Sequence, residues 1–176
     1  MSHRTLRLAS ALAAVFKHDP AAAPLASGQR ATEDAVDTPD GQGFWKAFNG
    51  YGSLQRRYFD PIYESAAYYG TLKQESREVI VSVRIRVSDR KVSEAEWTIA
   101  TQGPGGHGDA NPAGAIDNPP PSGSLPRSRR QSRFTMISLA NDYFQALQDH
   151  DGSWVPPDPG CNRVENVAPA GPSRAT

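Results

Sequence analysis

Apolar positions along the chain follow two rhythms. Near the start, Leu8, Ala11, Leu12 and Val15 fall at i, i+3, i+4 and i+7, which is one face of a helix over residues 5–18. Asp19-Pro20 ends that helix, because the residue before a proline is pushed out of the helical region. The next residues, AAAPLASGQRATED, read as extended or turn-like. They lead through DTPDGQG to GFWKAF at 43–48, a short helix or turn whose Phe44, Trp45 and Phe48 dock inward. From residue 54 the period becomes two: LQRRYFD, IYESAAYYGTLKQ, REVIVSVRIRVSD and KVSEAEWTIAT read as four strands, rich in β-branched and aromatic residues. The third is clearest, with Val79, Val81, Val83, Ile85 and Val87 alternating with Ile80, Ser82, Arg84 and Arg86. The breaks QES and SDR are hairpin-length, so the strands pair as an antiparallel meander. Asp89-Arg90 is a poor two-residue type I′ turn, because Arg at positive φ is costly, and a longer loop is expected there. The helical period returns over 132–149, where Met136/Ile137, Ala140, Tyr143/Phe144 and Leu147 form a stripe that Asp151-Gly152 stops.

The second helix is part of a repeat. Residues 140–166 echo residues 8–34 at a constant offset of 132. His18-Asp19 falls on His150-Asp151, Pro24 on Pro156, Gly28 on Gly160, Glu33-Asp34 on Glu165-Asn166, and Leu12 on Phe144. Residues 5–101 then form a helix-plus-sheet unit, 102–131 a Gly/Pro/Arg-rich linker, 132–167 a second helix and corner repeating 5–34, and 168–176 a disordered tail. Within the linker, 102–126 (QGPGGHGDANPAGAIDNPPPSGSLP) holds too few apolar residues to offset its ordering entropy, so a long disordered loop is expected.

Composition narrows the function classes. The 176 residues suit one domain of ordinary size with a fragment of a second. Lys+Arg and Asp+Glu balance at 19 each, so no global field recruits nucleic acid or an anionic membrane. The single Cys161 cannot close an internal disulfide, and no His/Cys cluster has zinc spacing, so neither cofactor nor metal is expected. Arg4 and Arg7 before LASALAAVF resemble a weak secretory signal, but the same segment recurs at 140–147. A folded helix and a soluble, cytoplasmic protein are therefore preferred to a secreted one. No apolar run reaches the roughly 18 residues of a membrane span.

A helix, an HDP break, an antiparallel meander and a further helix resemble the nuclear transport factor 2-like, or SnoaL-like, α+β cone. The residues that carry the resemblance are HDPAAAPLASGQRATED, GFWKAF, YFDP, YYGTLKQ, VIVSVRIRVSDRKVSEAEWTIAT, SRFTMISLANDYFQALQDHDGSWVP and CNRVEN, which look like a family of SnoaL-like domains of bacteria and fungi. The chain departs from that family's usual corners, with Thr32-Glu33-Asp34 and Glu165-Asn166-Val167 in place of T-E-N-G and E-N-G. Family members run on into a further set of strands after the second corner, so one full unit plus the opening of a second is expected. The resemblance implies a curved antiparallel sheet of about four strands with packing helices. Between the concave face and the helices it implies an apolar pocket, in which acids, His or Tyr do proton transfer where such proteins are enzymes.

Particular residues are candidates for that pocket. Glu96 becomes a pocket carboxylate if its face of the last strand is concave, since burial raises a carboxyl towards neutrality; otherwise it belongs to a solvated edge. Asp60, before Pro61, is a second acid–base candidate or simply a turn residue. Tyr58, Tyr63, Tyr68, Tyr69 and Trp97 either line a ligand site or pack across strands. His18 and His150 each stand beside Asp at a helix C-terminus, where a cation suits the dipole, and Glu33 and Glu165 anchor corners. The run Arg127, Arg129, Arg130, Arg133 reads as a solvated helix entry, His107 as a solvated linker residue, and QGPGGHG lacks the Lys-Ser/Thr of a phosphate loop. Three functions remain open: a binder of a small apolar or aromatic molecule in the cone, an isomerase, dehydratase or hydrolase using the same pocket, and a homodimerisation module working through the second helix.

Overall fold

A computed structural model describes residues 3–100, 111–117, 122–155, 164–165 and 168–169. The chain divides into two compact units, residues 1–119 with 166–168, and residues 120–165 with 169–176. The first unit contains α1 (His3–Phe16), β1 (Leu25–Glu33), β2 (Val36–Asp37), α2 (Phe44–Ala47), β3 (Gly50–Asp60), β4 (Ser65–Gln74), β5 (Arg77–Ser88), β6 (Lys91–Ile99) and α3 (Pro112–Asp117). The second is built on α4 (Arg133–Asp149), and two short strands, β7 (Val164–Glu165) and β8 (Ala168–Pro169), follow it in the chain. The class is α+β, with the curved, open sheet and covering helices of the expected cone.

The sheet has six strands in the order β2-β1-β6-β5-β4-β3, not four. β3 to β6 are the antiparallel meander. The stretch read as irregular, LASGQRATE, is β1, which runs parallel to β6 and turns back through Asp34-Ala35 onto β2. It lacks alternation because its partner lies over 60 positions away: Thr32 sits opposite Glu96 and Glu33 opposite Trp97. A second correction concerns the β5–β6 connection. It is the tight two-residue turn after all, with Asp89 at φ 47° and Arg90 at φ 62°. Ten consecutive β4–β5 pairs and the β5–β6 ladder hold both flanking strands, and that cooperative pairing overrides the local cost of Arg in the left-handed region.

The concave face is filled from within. Leu8, Leu12 and Val15 of α1 are buried on it, as are Phe44 and Trp45 of α2 and the following Phe48, together with Tyr68, Leu72, Val83, Ile85 and Trp97 of the sheet. Phe44 stacks on Trp97 at 4.3 Å and 12°, and Phe48 lies parallel to the same indole at 6.0 Å. The expected alternation of β5 is the burial pattern observed. On the opposite face, Leu54, Ile80 and Ala115 form a smaller cluster with Tyr69 against it. Ala115 belongs to α3, so the stretch read as a disordered loop contains an ordered helical turn, begun by Asn111 Oδ1 accepting from Gly114 N at 3.0 Å. The residues around α3, 101–110 and 118–121, lie outside the described part, as do 156–163 and most of the tail.

The repeated motif is a helix stop. In α1, His18 takes φ 55°, Asp19 N donates to Ala14 O at 3.0 Å, and the Asp19 carboxylate accepts from Ala21 N at 3.0 Å. In α4, His150 takes φ 55°, Asp151 N donates to Ala146 O at 3.1 Å, and Asp151 accepts from Ser153 N at 2.9 Å. Both helices thus end in a left-handed residue with a bond back over the last turn, followed by an Asp that caps a single 3-10 turn.

Candidate functional site

A void of about 20 Å³ in the interior of the cone is bounded by side chains of α1, α2, β1, β5 and β6. Its lining is apolar apart from Gln29, and includes Leu12, Val15, Phe44, Trp45, Val83 and Trp97. Such a space admits roughly one water molecule. Two lining residues carry buried polar atoms with no hydrogen-bond partner in the protein: the indole Nε1 of Trp45 and the amide Oε1 of Gln29. Gln29 donates its amide nitrogen to Asp40 at 2.6 Å, which fixes the oxygen as the acceptor left over. A donor and an acceptor are therefore present at the void, and no titratable group lines it.

The candidate acids lie elsewhere. Glu96 is exposed on the outer face, where Arg84 grips it with Nε and one terminal nitrogen, both at 2.8 Å, while the same Arg84 reaches Glu94 at 2.9 Å. Arg84 holds both carboxylates below the usual range, in the direction opposite to that of a general acid. A shift of register between Arg86 and Val87 puts Val92 on the buried face and Glu94 and Glu96 on the outer one, so the face of Glu96 is not the concave one. Asp60 serves the β3–β4 turn: its Oδ1 accepts from Ile62 N at 2.9 Å and Tyr63 N at 3.2 Å.

The tyrosines do not form one wall. Tyr68 is wholly buried, donates to Thr71 O at 2.8 Å, and has its phenol pushed well up by burial despite the opposing Arg57. Tyr69, also raised by burial, faces the opposite side of the sheet. Tyr58 and Tyr63 stand exposed at the β3–β4 hairpin, and Trp97 is a core residue stacked on Phe44. His18 and Glu33 hold backbone groups of the first unit. His18 Nδ1 hydrogen-bonds Trp45 O at 2.6 Å, tying the end of α1 to α2, and Glu33 accepts from Phe44 N at 2.5 Å at the first turn of α2. Asp34 adopts φ 48° and accepts from Ile99 N at 2.9 Å.

One polar cluster has no counterpart in the sequence reading. At the irregularity in β3 between Tyr51 and Gln55, Glu78 accepts from Ser53 N at 2.9 Å, Ser53 Oγ at 2.7 Å and the buried Thr71 Oγ1 at 2.5 Å. Burial raises the Glu78 carboxyl, but these hydrogen bonds outweigh it and hold the group below its ordinary value. Gly52 and Gly70 allow the approach, since a Cβ on Gly52 would overlap Thr71 and one on Gly70 would overlap Leu54 O. Isolated glycines inside two strands were the signal available. The cluster holds a bulge in place, and a carboxylate stabilised as the anion is a weak base.

Residues 129–175 match the profile of a domain of unknown function, DUF8021. No curated protein matches the chain in sequence. Two solved structures are similar to it. An NTF2-like protein of unknown function from Cytophaga hutchinsonii is 8% identical over 56% of this chain and 90% of its own, with a TM-score of 0.45. AclR from Streptomyces galilaeus, for which a hydroxylase activity is suggested, is 13% identical over 85% of this chain and 97% of its own, with a TM-score of 0.41. At these scores the likeness is loose, and the cone assignment stands on the sheet order and helix packing of the chain itself.

Among the described residues, no helix is long and apolar enough to cross a membrane, and no group of three or more His, Cys, Asp or Glu is placed to hold a metal. The exposed apolar surface is concentrated on α4, which has no buried residue: Phe134, Met136, Ile137, Leu139, Phe144 and Leu147 are all exposed.

Proposed function

We propose that the chain is a non-catalytic association module whose contact face is α4, mating first with α4 of a second copy. The observation that carries this reading is the exposure of the α4 stripe, set beside the burial of its repeat counterpart. Leu8, Leu12 and Val15 are covered in α1, whereas Phe144 and Leu147, at the positions of Leu12 and Val15, are not. A helix with Met136, Ile137, Phe144 and Leu147 on one face gains by covering them. Each is roughly half exposed and worth about 1 kcal/mol on full burial, so two copies gain on the order of 8 kcal/mol, comparable with the entropy cost of association. The contact is therefore weak and concentration-dependent.

Sedimentation velocity across a wide concentration range tests it, with Phe144→Asp plus Leu147→Asp as the control and circular dichroism verifying the fold. Self-association weakened by the double variant supports the reading. A chain that stays monomeric at the highest concentration, or that associates equally well with both aspartates, removes it.

The ligand reading is favoured by a narrower observation, the unpartnered Trp45 Nε1 and Gln29 Oε1 at the apolar void. Because the void is about 20 Å³, a ligand larger than water has to displace core side chains such as Phe44 or Trp45. A thermal-shift screen with small alcohols and phenols that yields no stabilising compound removes it. An acid–base enzyme in this cone lacks support, because Glu96 and Asp60 are engaged away from the void.

A further inference from the structure

Charge is segregated along α4 and its flanks. Arg127, Arg129 and Arg130 stand before the helix with no acid among them, while Asp142, Asp149 and Asp151 stand in its second half and just beyond it with no Lys or Arg among them. All of these except the half-buried Asp142 are exposed. The apolar stripe is arranged about its own middle: Met136 and Phe144 are each four residues from Ala140, the smallest member of the stripe and itself exposed. Arg129 and Asp151 are each eleven residues from the same alanine.

We infer that two α4 helices pair antiparallel with Ala140 at the two-fold axis; this rests on the α4 association proposed above and adds its orientation and register. A two-fold contact is complementary to itself, so residues equally far on either side of the axis stand level with each other. Met136 of one copy then lies against Phe144 of the second copy, twice. The arginine end of each copy meets the aspartate end of the other, with Arg129 level with Asp151. Ala140 meets Ala140, and two methyl groups let the backbones approach until the larger side chains on either side interlock. A parallel pair has neither advantage. It sets Arg127, Arg129 and Arg130 beside the same three arginines and Asp149 beside Asp149, and it aligns the two helix dipoles unfavourably. Other antiparallel centres leave part of the stripe bare: an axis at Phe144 puts Met136 level with Gly152, and one at Ile137 puts Leu147 level with Arg127, both beyond the helix. Segregated charge supplies the orientation, and the small residue in the middle of the stripe supplies the register.

Sedimentation velocity of the full chain comes first: a monomer at every concentration removes the α4 association and the antiparallel pair together. The remaining measurements act on orientation and register alone. With Cys161→Ser in place, a nitroxide on Gln148→Cys stands level with Ser132 of the second copy, sixteen residues from the second label, so the two labels are expected at least about 24 Å apart at roughly 1.5 Å per residue. Double electron–electron resonance reads that distance. A shorter one, as in a parallel pair whose labels stand level, overturns the orientation while the α4 association survives. Raising sodium chloride from about 20 to about 300 mM is expected to weaken the dimer several-fold by screening the opposed ends, and Arg129→Glu to weaken it about threefold at low salt. A dimer that tightens or is indifferent in both experiments overturns the charge argument. Ala140→Met keeps a good helix former at an exposed position and is expected to weaken the dimer about tenfold by holding the backbones apart. Equal or tighter association of that variant overturns the register.

Discussion

Leu12 and Phe144 occupy the same position of the repeat and opposite environments, so truncating each to alanine separates pattern from burial. Leu12 is 1% exposed and lines the void under α1, whereas Phe144 is 66% exposed. Leu12→Ala removes the transfer energy of three buried carbons, about 2.4 kcal/mol at roughly 0.8 kcal/mol each. It also enlarges a void that α1, held by Leu8 and Val15 on either side, closes only in part. The cavity left behind adds roughly 1–2 kcal/mol, for a total of about 4 kcal/mol within the 2–5 kcal/mol range of such substitutions. In a unit of this size that corresponds to a fall in Tm on the order of 15 °C. Phe144→Ala in dilute solution is expected to change stability by less than about 0.5 kcal/mol, because two-thirds of the residue is exposed. Urea unfolding followed by far-ultraviolet circular dichroism reads both. A loss under about 1 kcal/mol for Leu12→Ala would refute the packing of α1 in the cone. Equal losses at the two sites would refute the statement that repeat position does not decide burial.

Acid should weaken the fold partly through Glu78. Its carboxyl is depressed in the folded chain, so its contribution is fully present above the ordinary carboxylate value of 4.5 and is lost as pH falls through the lower folded value. Glu78→Gln should flatten that part of the stability–pH curve, and an unchanged slope argues against the cluster. Glu96→Gln should cost no more than about 1 kcal/mol, less still in about 1 M salt, as expected of an exposed pair on the outer face. A loss of several kcal/mol in urea unfolding would contradict that placement. Asp89→Asn with Arg90→Gly should raise stability by about 0.5–1 kcal/mol, since both positions have positive φ. A lower Tm in calorimetry would speak against the tight turn.

The sequence alone determined the elements whose signals are local. The i, i+3, i+4, i+7 spacing marked α1 and α4, and the alternation of Val79 to Val87 marked β5 and its buried face. The HD pair marked both helix stops, and GFWKAF marked the short α2 with its three inward aromatics. Each depends on neighbours within a few residues, so the pattern is written next to the structure it produces.

Tertiary structure decided everything that depends on distant partners. β1 carries no strand signal, and its ladder exists because β6 lies alongside. A one-residue slip in β6 turned Val92 inward and Glu96 outward, which no count of alternating positions can foresee. Tyr68 and Tyr69 are adjacent in the chain, and pleating alone sends them to opposite faces. The same apolar stripe is buried in α1 and bare on α4. Hydrophobic spacing states which face of a helix must be covered, while the free energy of covering it belongs to whatever surface the folded chain, or a second copy of it, brings there.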